Sequence, residues 1–227
     1  MEFLSGGDFS FHIATAKKFS EERAKFYTAE ILCGLQFLHS ELIVYRDLKL
    51  ENILLDSTGH CKISDFGMCK RLPDGEKAET FCGTLEYIAP EIILEELYDY
   101  SVDFWSLGVL LYVMLTGFFP FISLQDDEED LFEEIKSKEP KFPSFFDLTD
   151  EAIACIRGLL EKDPRDRLGY SSSRHGQIRK HKFFDDIDWT NGGLRDTGKG
   201  REHMLPLPVD VGQALAAWLR FRPLALD

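Results

Sequence analysis

Between Ser20 and His39 the apolar residues Tyr27, Ile31, Leu35 and Leu38 recur at three- and four-residue steps, which lines one face of a helix. Ser20 offers an N-cap oxygen, and Glu21 and Glu22 stand at the positive end of the helix dipole. Ile43-Val44-Tyr45 then runs into a polar loop. Ile53-Leu54-Leu55 and Cys61-Lys62-Ile63 read as two short strands joined by the turn formers Asp56-Ser57-Thr58-Gly59. After Ile63 no period holds until about Ala89. Ser101 to Thr116 is apolar nearly all round, which predicts a helix buried in the middle of a domain; Gly117 ends it and Pro120 prevents its resumption. Further helices are predicted at about Asp130–Ser137, Asp150–Leu160 and Arg174–His181. The fold class is mainly α with a small β-hairpin placed early.

A chain of 227 residues with 44% apolar content can bury one substantial core. Its net charge of −14 argues against non-specific binding to nucleic acid or anionic membrane and towards basic partners. The most apolar run, Leu107 to Leu115, is about half of a membrane span, and Met1 to Asp8 lacks the basic and apolar regions of a signal peptide. The five cysteines, Cys33, Cys61, Cys69, Cys82 and Cys155, form no Cys-x-x-Cys pair and read as reduced thiols of a cytoplasmic protein. Gln125 to Asp130 is a dense acidic run. From Gly192 the chain turns Gly-rich, then Pro-rich at Leu205-Pro206-Leu207-Pro208, then briefly apolar at Ala214–Phe221; low order is expected there.

Chemistry enters with Arg46-Asp47-Leu48-Lys49-Leu50-Glu51-Asn52, in the loop before the hairpin, and Asp65-Phe66-Gly67, just after it. Phosphoryl transfer asks a protein mainly for positioning and charge neutralisation. It needs a carboxylate to orient a hydroxyl and accept its proton, oxygen ligands for magnesium, and a cation to steady the moving phosphate. Asp47 suits the first task, Asn52 and Asp65 the second, and Lys49 the third. An Asp and an Asn five residues apart in one loop can face a common site, and the hairpin returns Asp65 to it. Gly67 permits a sharp turn after Asp65. Either motif alone reads equally as solvated loop charges; two in order around a hairpin point to chemistry.

At these residues the chain resembles the protein kinases, over about its first 190 positions. Ala89-Pro90-Glu91 matches the end of the activation segment, and Asp103 with Trp105 and Gly108 matches the central buried helix. Arg167 in Pro164-Arg165-Asp166-Arg167-Leu168 matches the arginine that pairs with Glu91. Tyr45 before Arg46-Asp47, and Thr80-Phe81-Cys82-Gly83-Thr84, resemble the AGC group. Met1-Glu2-Phe3-Leu4, Gly59-His60-Cys61-Lys62-Ile63 and Asp65-Phe66-Gly67-Met68-Cys69-Lys70 resemble the protein kinase C family, its novel delta- and theta-like members most of all.

The resemblance implies a serine/threonine kinase using ATP and Mg2+ on protein substrates with basic residues near the acceptor. Asp47 is the implied base, Lys49 the phosphate-steadying cation, Asn52 and Asp65 the metal ligands, and Thr84 a hydrogen-bond partner of Asp47 and Lys49. Thr80 is the implied phosphate acceptor for an upstream kinase, with Arg46 and Lys70 pairing the phosphate. Met1, Glu2 and Phe3 match the hinge along the adenine edge and Leu54 the residue under the ring. Asp8 and Glu51 are grouped with this cleft and match carboxylates that relatives offer to basic substrate residues. Glu91, Asp103 and Arg167 are structural anchors.

The same resemblance marks departures. The expected layout is a kinase C-lobe over residues 1–183, starting at the hinge without the Gly-rich loop and strand lysine of the other lobe, then a divergent tail over 184–227. That tail lacks the Thr-Pro and Phe-x-x-Phe motifs of AGC kinases. Leu85 replaces a usual proline, and Val113 a glutamate that relatives commonly turn towards basic substrate residues. A chain with no N-lobe is expected to be weak or inactive alone. Its rival readings are a non-catalytic module presenting the substrate groove and a fragment of a longer kinase. A monomer is expected, with no nucleic acid bound and no direct membrane insertion.

Overall fold

The computed structural model describes residues 6–73, 75–123 and 127–189, and the backbone of 193–194. Helix α1 (Phe9–Ala16) is one that periodicity does not announce, because only Phe9 and Ile13 of its eight residues are buried. Asp8 caps it, its Oδ1 accepting from the Phe11 amide at 2.9 Å and the Ser10 hydroxyl at 2.6 Å. Phe9 seats the helix against Phe19 and Tyr27, with ring centroids 5.7 and 4.8 Å away. Helix α2 (Glu21–Ser40) runs as expected, the Arg23 amide donating to Ser20 Oγ at 3.3 Å.

Four short strands follow: β1 (Ile43–Val44), β2 (Ile53–Leu55), β3 (Cys61–Ile63) and β4 (Lys70–Arg71). β2 and β3 make the expected hairpin, Ile53 opposite Ile63 and Leu55 opposite Cys61. β1 pairs instead with β4, Val44 opposite Lys70, so the chain between them forms one excursion whose two ends are stitched together. That excursion contains the polar loop, the hairpin and Asp65-Phe66-Gly67. Behind the hairpin, buried Glu30 of α2 meets His60 Nδ1 at 2.5 Å and accepts the Cys61 amide at 2.8 Å. Burial raises the Glu30 carboxyl above its ordinary range in spite of these donors.

Beyond α3 (Pro90–Ile93), helix α4 (Ser101–Thr116) has all sixteen residues buried, as its sequence predicts. It packs between α2 and α6 (Asp150–Leu159). Gly108 permits the approach of α6, since a Cβ there would lie 2.7 Å from Leu159 Cβ. Gly117 ends the helix at φ 79°, and a Cβ there would meet the Lys17 carbonyl at 2.3 Å. Trp105 stacks on Phe121 with centroids 5.7 Å apart and planes 8° from parallel. Its Nε1 is the single buried side-chain nitrogen or oxygen without a partner among the described residues.

Helix α5 (Glu128–Ser137) starts two residues earlier than periodicity places it, with Glu128, Glu129 and Asp130 in its first turn, where the helix dipole favours them. The helix predicted at Arg174–His181 does not form. Only a 3-10 turn at Ile178–Lys180 is present, because Gly176 turns the chain at φ 77° and its carbonyl accepts from the Gly169 amide at 2.9 Å. Strand β5 (Ile187–Asp188) pairs with the backbone of β6 (Gly193–Leu194). The low order expected from Gly192 onward otherwise lies outside the described residues, as do Met1, Glu2, Phe3, Gln125 and Asp126. No helix among the described residues is long and apolar enough to cross a membrane. All five cysteines are free thiols.

Candidate active site

The site is built on Asp103, which is fully buried in the first turn of α4. Its carboxylate accepts the backbone N–H groups of Tyr45 at 2.9 Å and Arg46 at 2.8 Å, and stands 2.8 Å from His39 Nε2. These partners fix a loop that leaves regular structure at the end of β1. Arg46 is held at φ 71°, in the left-handed region that a residue with a Cβ avoids. The turn aims the next side chain, Asp47, into the molecule, where it is 6% exposed.

Three predicted residues converge on Asp47. Asn52 Nδ2 donates to its Oδ2 at 2.9 Å and to its backbone carbonyl at 2.8 Å. Lys49 Nζ lies 3.2 Å from Oδ2. Thr84 Oγ1 donates to Oδ1 at 3.1 Å and accepts from Lys49 Nζ at 3.1 Å. The amide nitrogen of Asn52 is thus committed to Asp47 through both its carboxylate and its carbonyl.

β3 brings Asp65 back beside this group. The Ser64 amide donates to the Asn52 carbonyl at 2.8 Å, and Ser64 Oγ to the same oxygen at 3.0 Å. Tyr45 Oη donates to the Ser64 carbonyl at 2.5 Å. Burial pushes the Tyr45 phenol well above its ordinary range, so it stays a neutral donor. Asp65 follows at φ 51° with an exposed side chain, and its Oδ1 accepts the Gly67 amide at 3.1 Å. The Phe66 ring meets Tyr45 edge-on at 5.8 Å.

Glu91 and Arg167, both buried, form a two-pronged pair at 2.7 and 2.8 Å. The remaining guanidinium donors reach the carbonyls of Ser101, Glu161 and Lys162. Thr80 is exposed, and Lys70 is half-buried in β4. The Arg46 guanidinium does not reach the Thr80 side chain: its Nε donates to the Met68 carbonyl at 2.7 Å and its Nη1 to Tyr98 Oη at 3.1 Å. Tyr98 Oη in turn donates to the Thr80 carbonyl at 2.8 Å. Phe81 is half exposed, edge-on to Phe132 at 6.1 Å.

On the cleft side, Leu54 is half-buried in β2 and bridged to Asp8, and Glu51 is exposed. Asp8 is committed to capping α1, and the Ser10 hydroxyl leads the contacts that hold its carboxyl below the ordinary range. Val113 is buried in α4 and brings no charge. His39, Tyr98 and the hydroxyl of Tyr45 are parts of the site that motif reading passes over. The partners that give these groups their roles lie 64, 18 and 19 residues away in the chain.

A helical lobe whose loop gathers Asp47, Lys49, Asn52 and Thr84, with Asp65 returned to it by a hairpin, defines a class. The chain belongs to the protein kinase domain family, which matches residues 1–184. Among curated proteins it is 53% identical over 191 residues to the protein kinase C delta type of Mus musculus, covering 84% of this chain and 27% of that protein. It is 52% identical over 190 residues to the putative protein kinase C delta type homolog of Drosophila melanogaster, covering 83% and 28%. With the protein kinase C eta type of Homo sapiens it shares 50% identity over 192 residues, covering 83% and 27%. The protein kinase C resemblance read from the motifs is thus borne out, and the chain spans little more than a quarter of the length of these relatives.

Proposed function

We propose that this chain supplies the catalytic-loop side of an ATP-dependent serine/threonine kinase that phosphorylates hydroxyls in basic contexts. The observation that carries the reading is the convergence of Asn52, Lys49 and Thr84 on the buried carboxylate of Asp47. Asp47 is the base: held on two sides, its oxygens are oriented to take the proton of an incoming hydroxyl. Lys49, 3.1 Å from Thr84 Oγ1, is the cation that steadies the moving phosphate, and Thr84 ties the substrate side of the cleft to the base.

Asn52 and Asp65 are the magnesium ligands. An exposed carboxylate and an amide whose nitrogen is held by Asp47 suit a hard cation that takes one or two protein oxygens and completes its shell with phosphate and water. Bound magnesium would neutralise charge on the phosphate oxygens. Leu54, half-buried in β2, is the residue under the adenine ring, and the adenine edge is assigned to Met1, Glu2 and Phe3, which lie outside the described residues. Exposed Glu51 is better free than Asp8 to meet a basic substrate residue.

Thr80 is the acceptor for an upstream kinase, with Arg46 and Lys70 to receive the phosphate. Glu91, Asp103 and Arg167 anchor the segment and the loop. Residues 1–183 form the lobe and 184–227 its tail, in a cytoplasmic monomer. The test is a chimera in which this chain replaces the matching 191 residues of the Mus musculus delta-type kinase. Transfer from MgATP to a basic serine peptide, abolished by Asp47→Asn, is expected. A folded chimera without transfer, or an Asp47→Asn chimera that keeps it, overturns the reading.

A further inference from the structure

Tyr98 lies between α3 and α4, outside every motif, yet it touches both halves of the site. Its backbone forms an isolated bridge with Ala78: the Ala78 amide donates to the Tyr98 carbonyl at 2.8 Å, and the Tyr98 amide to the Ala78 carbonyl at 2.9 Å. Its hydroxyl accepts from Arg46 Nη1 at 3.1 Å, donates to the Thr80 carbonyl at 2.8 Å and lies 3.8 Å from Cys82 Sγ. The residue itself is 2% exposed, so water cannot replace these partners freely.

The position of the hydroxyl gives it consequence. Arg46 precedes Asp47 in the chain and is pinned at its amide by Asp103, so whatever holds its guanidinium also bears on the base. Thr80 stands four residues before Thr84, which donates to Asp47. One phenol oxygen therefore closes a ring from Asp47 through Arg46, Tyr98 and Thr80 to Thr84 and back to Asp47. Every link of that ring is made by groups of the chain itself. A Tyr hydroxyl can serve this position because one oxygen both accepts from a guanidinium and donates to a carbonyl.

We infer that Tyr98 is a positioning residue that couples the activation segment to the catalytic loop and sets the segment in place before Thr80 is phosphorylated. The inference deepens the kinase reading and rests on it for its consequence in catalysis. The geometric part stands apart from transfer. A phosphate on Thr80 would give Arg46 a stronger, charged partner and make the Tyr98 hydroxyl dispensable.

The experiment uses the full chain and Tyr98→Phe, which removes one oxygen and keeps the ring. Amide hydrogen exchange is followed across the activation segment and across α2 and α4. Tyr98→Phe is expected to speed exchange between residues 76 and 84 about fivefold to tenfold, the factor of one ordinary hydrogen bond, and to leave α4 unchanged. Unchanged exchange in the segment, or an increase spread equally over α2 and α4, overturns the inference. In the delta-type chimera the same substitution is expected to lower kcat with the KM for MgATP unmoved, and phosphorylation at Thr80 to restore it. Failure of phosphorylation to restore kcat also overturns it. A chimera inactive with Tyr98 in place would sink the kinase reading while the exchange result still decides the coupling.

Discussion

Glu91→Gln tests how much of the fold depends on one buried pair. The carboxylate of Glu91 is 2% exposed and Arg167 is 0% exposed. In the native protein five guanidinium contacts are made, two to Glu91 and one each to the carbonyls of Ser101, Glu161 and Lys162. Gln keeps the shape, but removes the charge and turns one acceptor into a donor facing a donor. The guanidinium is then left buried against neutral carbonyls, a loss of roughly 3–5 kcal/mol. For a domain of this size each kcal/mol moves Tm by about 2–4 °C, so a fall of roughly 6–20 °C is expected. Urea unfolding followed by circular dichroism, with the slope compared between variants, gives the free energy directly. The double variant Glu91→Leu/Arg167→Met should lose less than Glu91→Gln alone, since it leaves no unpaired buried charge. A single-variant loss below about 1 kcal/mol, or a double variant that loses at least as much as Glu91→Gln, refutes the argument.

Three further outcomes are expected. Burial pushes the Lys162 ammonium down to about 8, with Arg167 adding to the effect and Glu139, Glu161 and Glu134 opposing it. The unfolded chain then holds this proton at pH values where the folded one has released it, so stability should rise from about pH 8 towards the free-lysine value of 10.5. Urea midpoints of wild type minus Lys162→Met, measured across that window, should climb; a flat or falling difference refutes it. Gly108→Ala would press a methyl to 2.7 Å from Leu159 Cβ and is expected to lose about 1–3 kcal/mol by calorimetry; a neutral result would show that α4 and α6 can separate freely. Ser20→Ala removes the cap of α2 and should lose about 1 kcal/mol in urea melts, whereas the same change at exposed Ser57 should lose almost nothing.

Several elements were determined by the sequence alone, for local reasons. The stripe of α2, the all-round apolar run of α4 and the β2–β3 hairpin each follow from residues a few positions apart. Asp47 and Asn52 share one loop, so their facing one site was legible too, though not the 2.9 Å hydrogen bond between them. The tertiary structure decided the rest, because it depends on which distant groups come to the same place. Thr84 reaches Asp47 across 37 residues, a contact that the family resemblance implied and no local pattern carries, and Asp103 reaches Arg46 across 57. Helix α1 exists because Asp8 caps it and Phe9 finds Phe19 and Tyr27; eight residues carry no readable period of their own. The helix expected at Arg174–His181 gives way because Gly169 and Gly176 bond to each other across a turn. Side-chain pattern tells which face of an element turns inward. Which buried donor meets which acceptor is settled only when the elements pack, since each polar group must find its partner among whatever the core brings within about 3 Å.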